Sequence, residues 1–281
     1  MIVGNPVRRP LALLHLAVLV LVATALLLPI YWLLMSSLRP ADQIFRHAGT
    51  FSFETLVPLQ VTFENYRFIF SGTFPRALFN SMFIGLATVT LGVFVNSLAG
   101  FAFAVFEFPF KRALFAVVLL SFMMPFESIV IPLYTLMRGL GWTDTYAALI
   151  LPEVAGGLVI FLFRQFFAGI PKEIYEAAIL DGATWWQIYW RMTLPLSGPT
   201  IATASLMLFI HQWDAFFWPL VAASSEELAV VQVAIARNMT LEQANWGALF
   251  ASASSAVLVA MVPFLFLQRY YIRVVATQAD R

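Results

Sequence analysis

The chain has no cysteine. That excludes disulfides, iron–sulfur clusters and cysteine-based zinc sites. Lysine is nearly absent: Lys111 and Lys172 are the whole supply, and neither follows a glycine. A phosphate-cradling Gly-Lys-Ser/Thr loop therefore cannot form, so any ATP that drives this protein must be bound by another chain. Histidine is scarce and scattered, at His15, His47 and His211, which does not suggest a metal site. Charged residues make up 11% of the chain, against about a quarter in a soluble domain. The net charge of +1 carries no basic signal for nucleic acid.

What is present is apolar. Hydrophobic residues make up 61% of the 281, and the mean hydropathy is +0.85. This predicts an all-α, polytopic membrane protein. Arg8 and Arg9 precede an apolar run from Leu11 to Met35, too long for the core of a signal peptide and with no small-residue cleavage site after it. The run is expected to be a retained first span. Six spans of roughly 20–26 residues are expected, at about 11–36, 77–105, 113–137, 146–168, 199–222 and 247–270.

The basic residues set the orientation. Arg8, Arg9, Lys111, Arg112, Arg164, Lys172, Arg191, Arg269, Arg273 and Arg281 fall on one side of a six-span chain. Arg39, Arg46, Arg67, Arg76, Arg138 and Arg237 fall on the other. The excess favours both termini on the cytoplasmic side. Residues of about 38–76 are too polar to span and are expected to form an extracytoplasmic cap. A second outer segment, 223–246, carries Glu226, Glu227 and Glu242. The whole chain, 1–281, reads as a single transmembrane domain.

The cytoplasmic segment of about 169–195 is unlike its surroundings. Pro171 and Glu173 suit a helix start, Ala177 and Ala178 suit its interior, and Asp181-Gly182 suits its end. A second helix is expected from about Ala183 to Met192, ended by the prolines between Thr193 and Pro199. Two readings follow: an amphipathic hairpin resting on lipid headgroups through Trp185, Trp186, Tyr189 and Trp190, or a docking knob with small residues for close approach and Glu176 for a charged partner.

The stretch "EAAILDGATWWQIYWRMTLP" resembles the EAA signature of ATP-binding-cassette importer permeases. Glu176, Ala177, Ala178, Gly182, Leu194 and Pro195 match, and Met192 stands where isoleucine is usual. Together with "IPLYTLMRGLGWTDTYAALILP", "FRQFFAGIPKEIYEAAILDGA" and "HQWDAFFWPL", the chain is similar to carbohydrate-uptake permeases of the maltose-transporter type, in particular the second, six-span permease subunit. The resemblance implies that the hairpin is a coupling helix docking on a cytoplasmic ATPase, with Glu176, Ala177, Ala178, Asp181, Gly182, Leu194 and Pro195 as its coupling residues. It implies a homologous second permease, two ATPase copies binding ATP and Mg, an extracytoplasmic solute-binding protein, and a bacterial plasma (inner) membrane. The chain itself would bind no cofactor and perform no covalent chemistry. Two departures stand out. No glycine follows Tyr270 in the tail, and Trp213-Asp214 replaces the usual Trp-Asn.

Glu153 and Asp214 fall inside expected spans, where a charge is costly and faces protein or a water-filled cavity. Asp214, Trp213, Glu153 and Phe217 are the candidate cavity or substrate residues; contact with a partner subunit, or plain packing, is the competing reading. His211 is expected to be a satisfied polar residue between helices. Asn80, Asn96, Ser97 and Gly156-Gly157 read as packing devices. Pro125, Pro132, Pro152 and Pro219 are expected to kink or bound spans. The resemblance assigns most direct sugar contact to the other permease subunit. Two rival functions stay open: the same machinery carrying glycerol 3-phosphate or a polyol, and a secondary transporter or channel acting alone.

Overall fold

A computed structural model of the chain describes residues 8–46, 53–239 and 245–279, with side chains placed for 13–46, 54–239 and 245–266. Glu242 and the side chains of the tail from Gln268 onward lie outside the described residues. The elements are helices throughout, with no strand among the described residues. Among the described residues three helices are long and apolar enough to cross a membrane: Leu13–Ser37, Phe74–Val105 and Trp246–Phe266, the last being part of a helix that runs on to Ala279. Three bent helix pairs bring the number to as many as six.

The chain packs as two compact units, one drawn from Met1–Gly72 and Ile235–Val257, the other from Thr73–Ala234 and Leu258–Arg281. In the first unit, Trp32 meets Phe250 edge to face at 5.1 Å, and Phe45 meets Trp246 at 4.9 Å. Asn65, on the short helix Glu64–Ser71, donates to the carbonyls of Ser37 (3.0 Å) and Arg39 (2.8 Å) and so closes the end of the first long helix. A Cβ on Gly247 would overlap the Asn65 amide. Buried Arg39 donates through Nη2 to the carbonyls of Glu54 and Thr55, both at 2.8 Å. These carbonyls end the short helix Phe53–Leu56, where the dipole favours a cation.

The second unit is organised by the helix Phe74–Val105. Its buried face recurs at helical spacing through Ala77, Asn80, Ser81, Ile84, Gly85, Thr88, Gly92, Asn96, Ser97, Gly100 and Phe101. Most of these are small or polar, as suits an apolar solvent that does not itself drive helices together. A Cβ on Gly100 would meet Phe163 Cβ at 2.6 Å, and one on Gly92 would meet Leu208 Cδ1 at 2.8 Å. The glycines thus set how near the helices Gly157–Ala168 and Gly198–Trp213 can come.

The expected spans three, four and five are not continuous helices. Lys111–Met123 and Phe126–Gly139 meet at 102°, broken before Pro125, whose missing N–H ends the ladder. Tyr146–Val154 and Gly157–Ala168 meet at 42° across Ala155-Gly156. Trp185–Leu196 and Gly198–Trp213 meet at 79°. The fifth span was expected to run 199–222; its helix ends at Trp213, and Phe217–Ala222 is a separate short helix. Pro132, Pro152 and Pro219 lie inside helices.

Candidate functional site: a hairpin and a lined cavity

Residues 169–196 form the hairpin. Pro171 occupies the residue just before the helix Lys172–Leu180. The helix stops through paired backbone bonds, Gly182 N–H to Ile179 (2.9 Å) and Ala183 N–H to Ala178 (3.0 Å), with Gly182 at φ +82°. This left-handed stop is the Schellman arrangement. A Cβ on Gly182 would meet nothing within 4 Å. The backbone angle alone asks for glycine there.

The second limb starts on a reciprocal cap that the sequence reading missed. Thr184 Oγ1 accepts from Gln187 N–H, and Gln187 Oε1 accepts from Thr184 N–H at 2.8 Å. The limb was expected to end near Met192 at the prolines. Instead it runs Trp185–Leu196, with a π-helical stretch at Ile188–Thr193, and Pro195 sits in its last turn. Proline fits there because that turn begins at Leu194 and needs few further N–H donors.

The hairpin's outward face is partly apolar. Ile174, Ile179 and Leu180 are exposed, Leu180 to 89%. Glu176, Ala177, Asp181, Gly182 and Pro195 are also exposed, while Ala178 and Leu194 are half-buried. The inward anchor is Tyr175, buried among Phe101, Phe163 and Phe167, with its hydroxyl donating to the Phe167 carbonyl at 3.4 Å. Burial pushes the Tyr175 phenol above its ordinary value. Tyr189 anchors the second limb: its hydroxyl bonds Ser97 Oγ at 2.8 Å. Trp185, Trp186 and Trp190 remain exposed, and Trp185 meets Phe106 edge to face at 4.9 Å.

The second region is a cavity of about 840 Å³. Its floor is the break at Ala155-Gly156, which a buried amide stabilises. Asn96 Nδ2 donates to the carbonyls of Val154 (2.7 Å) and Gly92 (2.6 Å), and Asn96 Oδ1 accepts from Gly156 N–H at 2.9 Å. Backbone groups freed inside a membrane protein must find such partners. Asn80 repeats the device, donating to the carbonyls of Glu227 and Ala229 and accepting from the Tyr146 hydroxyl.

Glu153 precedes the break and His211 sits at the end of Gly198–Trp213. Their side chains meet in the cavity, with Glu153 Oε2 and His211 Nε2 2.9 Å apart. His211 is thus hydrogen-bonded between two helices, as expected, but in the cavity rather than in packed core: its side chain is 68% exposed, against 19% for Glu153. Asp214 caps the same helix and lines the cavity, as do Phe126, Phe216, Phe217 and Trp218. Trp218 is fixed by its indole N–H, which donates to the Ala148 carbonyl at 2.8 Å. Trp213 does not line the cavity. It is buried, stacks on Phe209 at 5.5 Å, and its carbonyl accepts from Gln232. No lysine or arginine is among the lining residues. Among the described residues no acidic and histidine cluster is placed to hold a metal ion.

Residues 89–276 match the family described as "Binding-protein-dependent transport system inner membrane component". The chain is 33% identical over 246 residues to the arabinooligosaccharides transport system permease protein AraQ of Halalkalibacterium halodurans, covering 87% of each. It is 30% identical to the sn-glycerol-3-phosphate transport system permease protein UgpE of Agrobacterium fabrum, covering 97% of this chain and 98% of the other. Its fold is shared with a chain of a bacterial ABC transporter involved in the import of the acidic polysaccharide alginate, with TM-score 0.82 at 21% identity over 96% of this chain and 100% of that one. A second structure, of the alginate transporter in complex with an alginate pentasaccharide-bound periplasmic protein, matches with TM-score 0.63 at 19% identity, covering 95% of this chain and 96% of that one.

Proposed function

The chain belongs to the family of binding-protein-dependent transport system inner membrane components, and on that premise we propose that it is a membrane-spanning permease subunit of an ATP-driven sugar importer. It forms half of a translocation pathway with a homologous second permease. Two copies of a separate ATPase bind ATP and Mg on the cytoplasmic side, and an extracytoplasmic binding protein delivers the sugar. Both termini lie in the cytoplasm of a bacterial cell, the chain sits in the inner membrane as one transmembrane domain, and residues of about 38–76 form its outer cap. The chain performs no covalent chemistry.

The observation that carries this reading is the hairpin. A rigid turn presents Glu176, Ala177, Asp181 and Gly182 beside the bare Leu180 side chain, while Tyr175 and Tyr189 root both limbs in the helical core. An exposed apolar knob with a carboxylate beside it suits a cleft on a partner with a basic rim. The same rooting links movement of the partner to the transmembrane helices, which is what coupling between two global states requires.

The test is purification in gentle detergent with mass spectrometry of what accompanies the chain. A second permease at one copy and an ATPase at two copies per chain is the expected result; a chain that comes out alone sinks the reading. Glu176→Lys should weaken ATPase binding by about tenfold while the chain keeps its fold. Glycerol 3-phosphate is the alternative cargo, suggested by the Agrobacterium relative. A lining with neither arginine nor lysine among its described residues argues against it, since phosphate recognition favours those side chains.

A further inference from the structure

The cavity holds a polar constellation that the coupling role does not use. Glu153 and His211 lie 58 residues apart in sequence and form their bond across a cavity otherwise walled by Phe122, Phe126, Phe216, Phe217 and Trp218. A carboxylate has about four acceptor sites, and the imidazole takes up one while fixing the carboxylate's direction. The rest can accept hydroxyl protons, and the second imidazole nitrogen adds another polar point. Flat apolar rings beside convergent hydroxyl acceptors match a sugar, which has a C–H face and an O–H rim. The charge of the lining also selects. Two carboxylates against one histidine, with no lysine or arginine among the described lining residues, give a lining that between walls of low polarity repels an anion more strongly than it would in water.

We propose that the Glu153–His211 pair grips the hydroxyls of an uncharged sugar ring, with Phe126, Phe217 and Trp218 as the wall for its carbon face, and that Asp214 excludes uronates and sugar phosphates. This subunit then touches the cargo itself and sets its charge class. The inference rests on the import reading and adds to it a site and a substrate class.

The experiment uses the complete transporter, both permeases with the ATPase and binding protein, in liposomes. The cysteine-free chain carries Ala215→Cys as a small reporter in the cavity lining. The reporter is labelled with a maleimide during ATP turnover and read by mass spectrometry of this chain's own peptide. The probes are arabino-oligosaccharides and malto-oligosaccharides against alginate oligosaccharides and glycerol 3-phosphate. A transported neutral sugar should slow labelling about tenfold, an effect that Glu153→Ala abolishes and Glu153→Gln partly restores. His211→Asn, which alters the other member of the pair, should weaken the protection as well. A merely structural role for the pair would change uptake without changing protection. Four results overturn the proposal while import stands: protection that persists in Glu153→Ala and His211→Asn, equal protection by the anionic probes, uptake of the anionic probes alone, or a reporter that never reacts because a partner helix fills the space. If no probe of either class enters with ATP, the import reading falls and the inference with it.

Discussion

The hairpin and the cavity are built by opposite means. The hairpin's stop, turn and restart come from residues within a few positions of one another: Ala178, Gly182, Thr184 and Gln187. The cavity takes Glu153 from one side of a helix break, His211 from the end of a helix 58 residues away, and Asn96 from a third helix that holds the break open. Local backbone preference is enough for the first. The second exists only after the long helices have packed. A substitution in the hairpin should therefore change what docks on the protein, and one near the cavity should change whether the protein holds together.

The harshest way to press that contrast is Gly157→Val. A Cβ on Gly157 would overlap the Val118 carbonyl oxygen and crowd Phe122 Cβ at 3.1 Å. Backbone on both helices would have to separate, at about 3 kcal/mol or more. Denaturant titration in detergent should show it, and an unchanged midpoint would contradict the packing described here. Next is Asn96→Leu, which strands the Val154 carbonyl and the Gly156 N–H at the floor of the cavity. A loss of about 1–3 kcal/mol is expected; a neutral effect would mean that water or another side chain fills in.

Gly182→Ala tests the other side of the comparison. Alanine at φ +82° costs about 1 kcal/mol. The global unfolding midpoint should barely move, while amide exchange in residues 178–184 quickens and, on the proposed coupling role, affinity for an ATPase partner falls a few-fold. Global destabilisation instead would show that the hairpin is not an independent local unit.

The smallest expected effect sharpens the contrast from a third place. Asp144 accepts the Ser225 backbone N–H at 3.0 Å, across 81 residues but at the surface. That bond holds its carboxyl below the ordinary value of 3.8. A depressed carboxylate stabilises the folded form above its ordinary value, and the contribution is lost as pH falls through the depressed one. Protection of the amides near Ser225, with the intrinsic pH dependence of exchange divided out, should therefore be flat from neutral pH down to about 4 and fall below it. Asp144→Asn should remove the fall; a fall that survives that change points to another group.

Much of this arrangement could be read along the chain, and the misses have causes. Gly182 and Asp181 announce a stop because few residues tolerate a left-handed backbone. Pro125 marked a place where a helix was at risk, whereas Gly156-Gly157 read only as a packing device; neither gave the 102° and 42° angles, which depend on what packs against each half. The fifth helix ends early at Trp213 although apolar residues continue to Ala222, because hydropathy does not register a helix end inside an apolar run. Trp213 was a cavity candidate but is buried on Phe209, while His211 makes its interhelical bond to Glu153 inside the cavity, an outcome of helix rotation that no composition encodes.

The sequence by itself determined the solvent, the helical class and the hairpin's turn at Gly182. It did so through apolar length, scarce charge and turn residues, which act on the chain within a few positions. Only the tertiary structure decided where the spans break, which amides stabilise the breaks, and that Glu153 and His211 share one cavity. Those outcomes depend on contacts between segments tens of residues apart, and in a membrane each backbone group freed by a break must find a partner wherever packing supplies one.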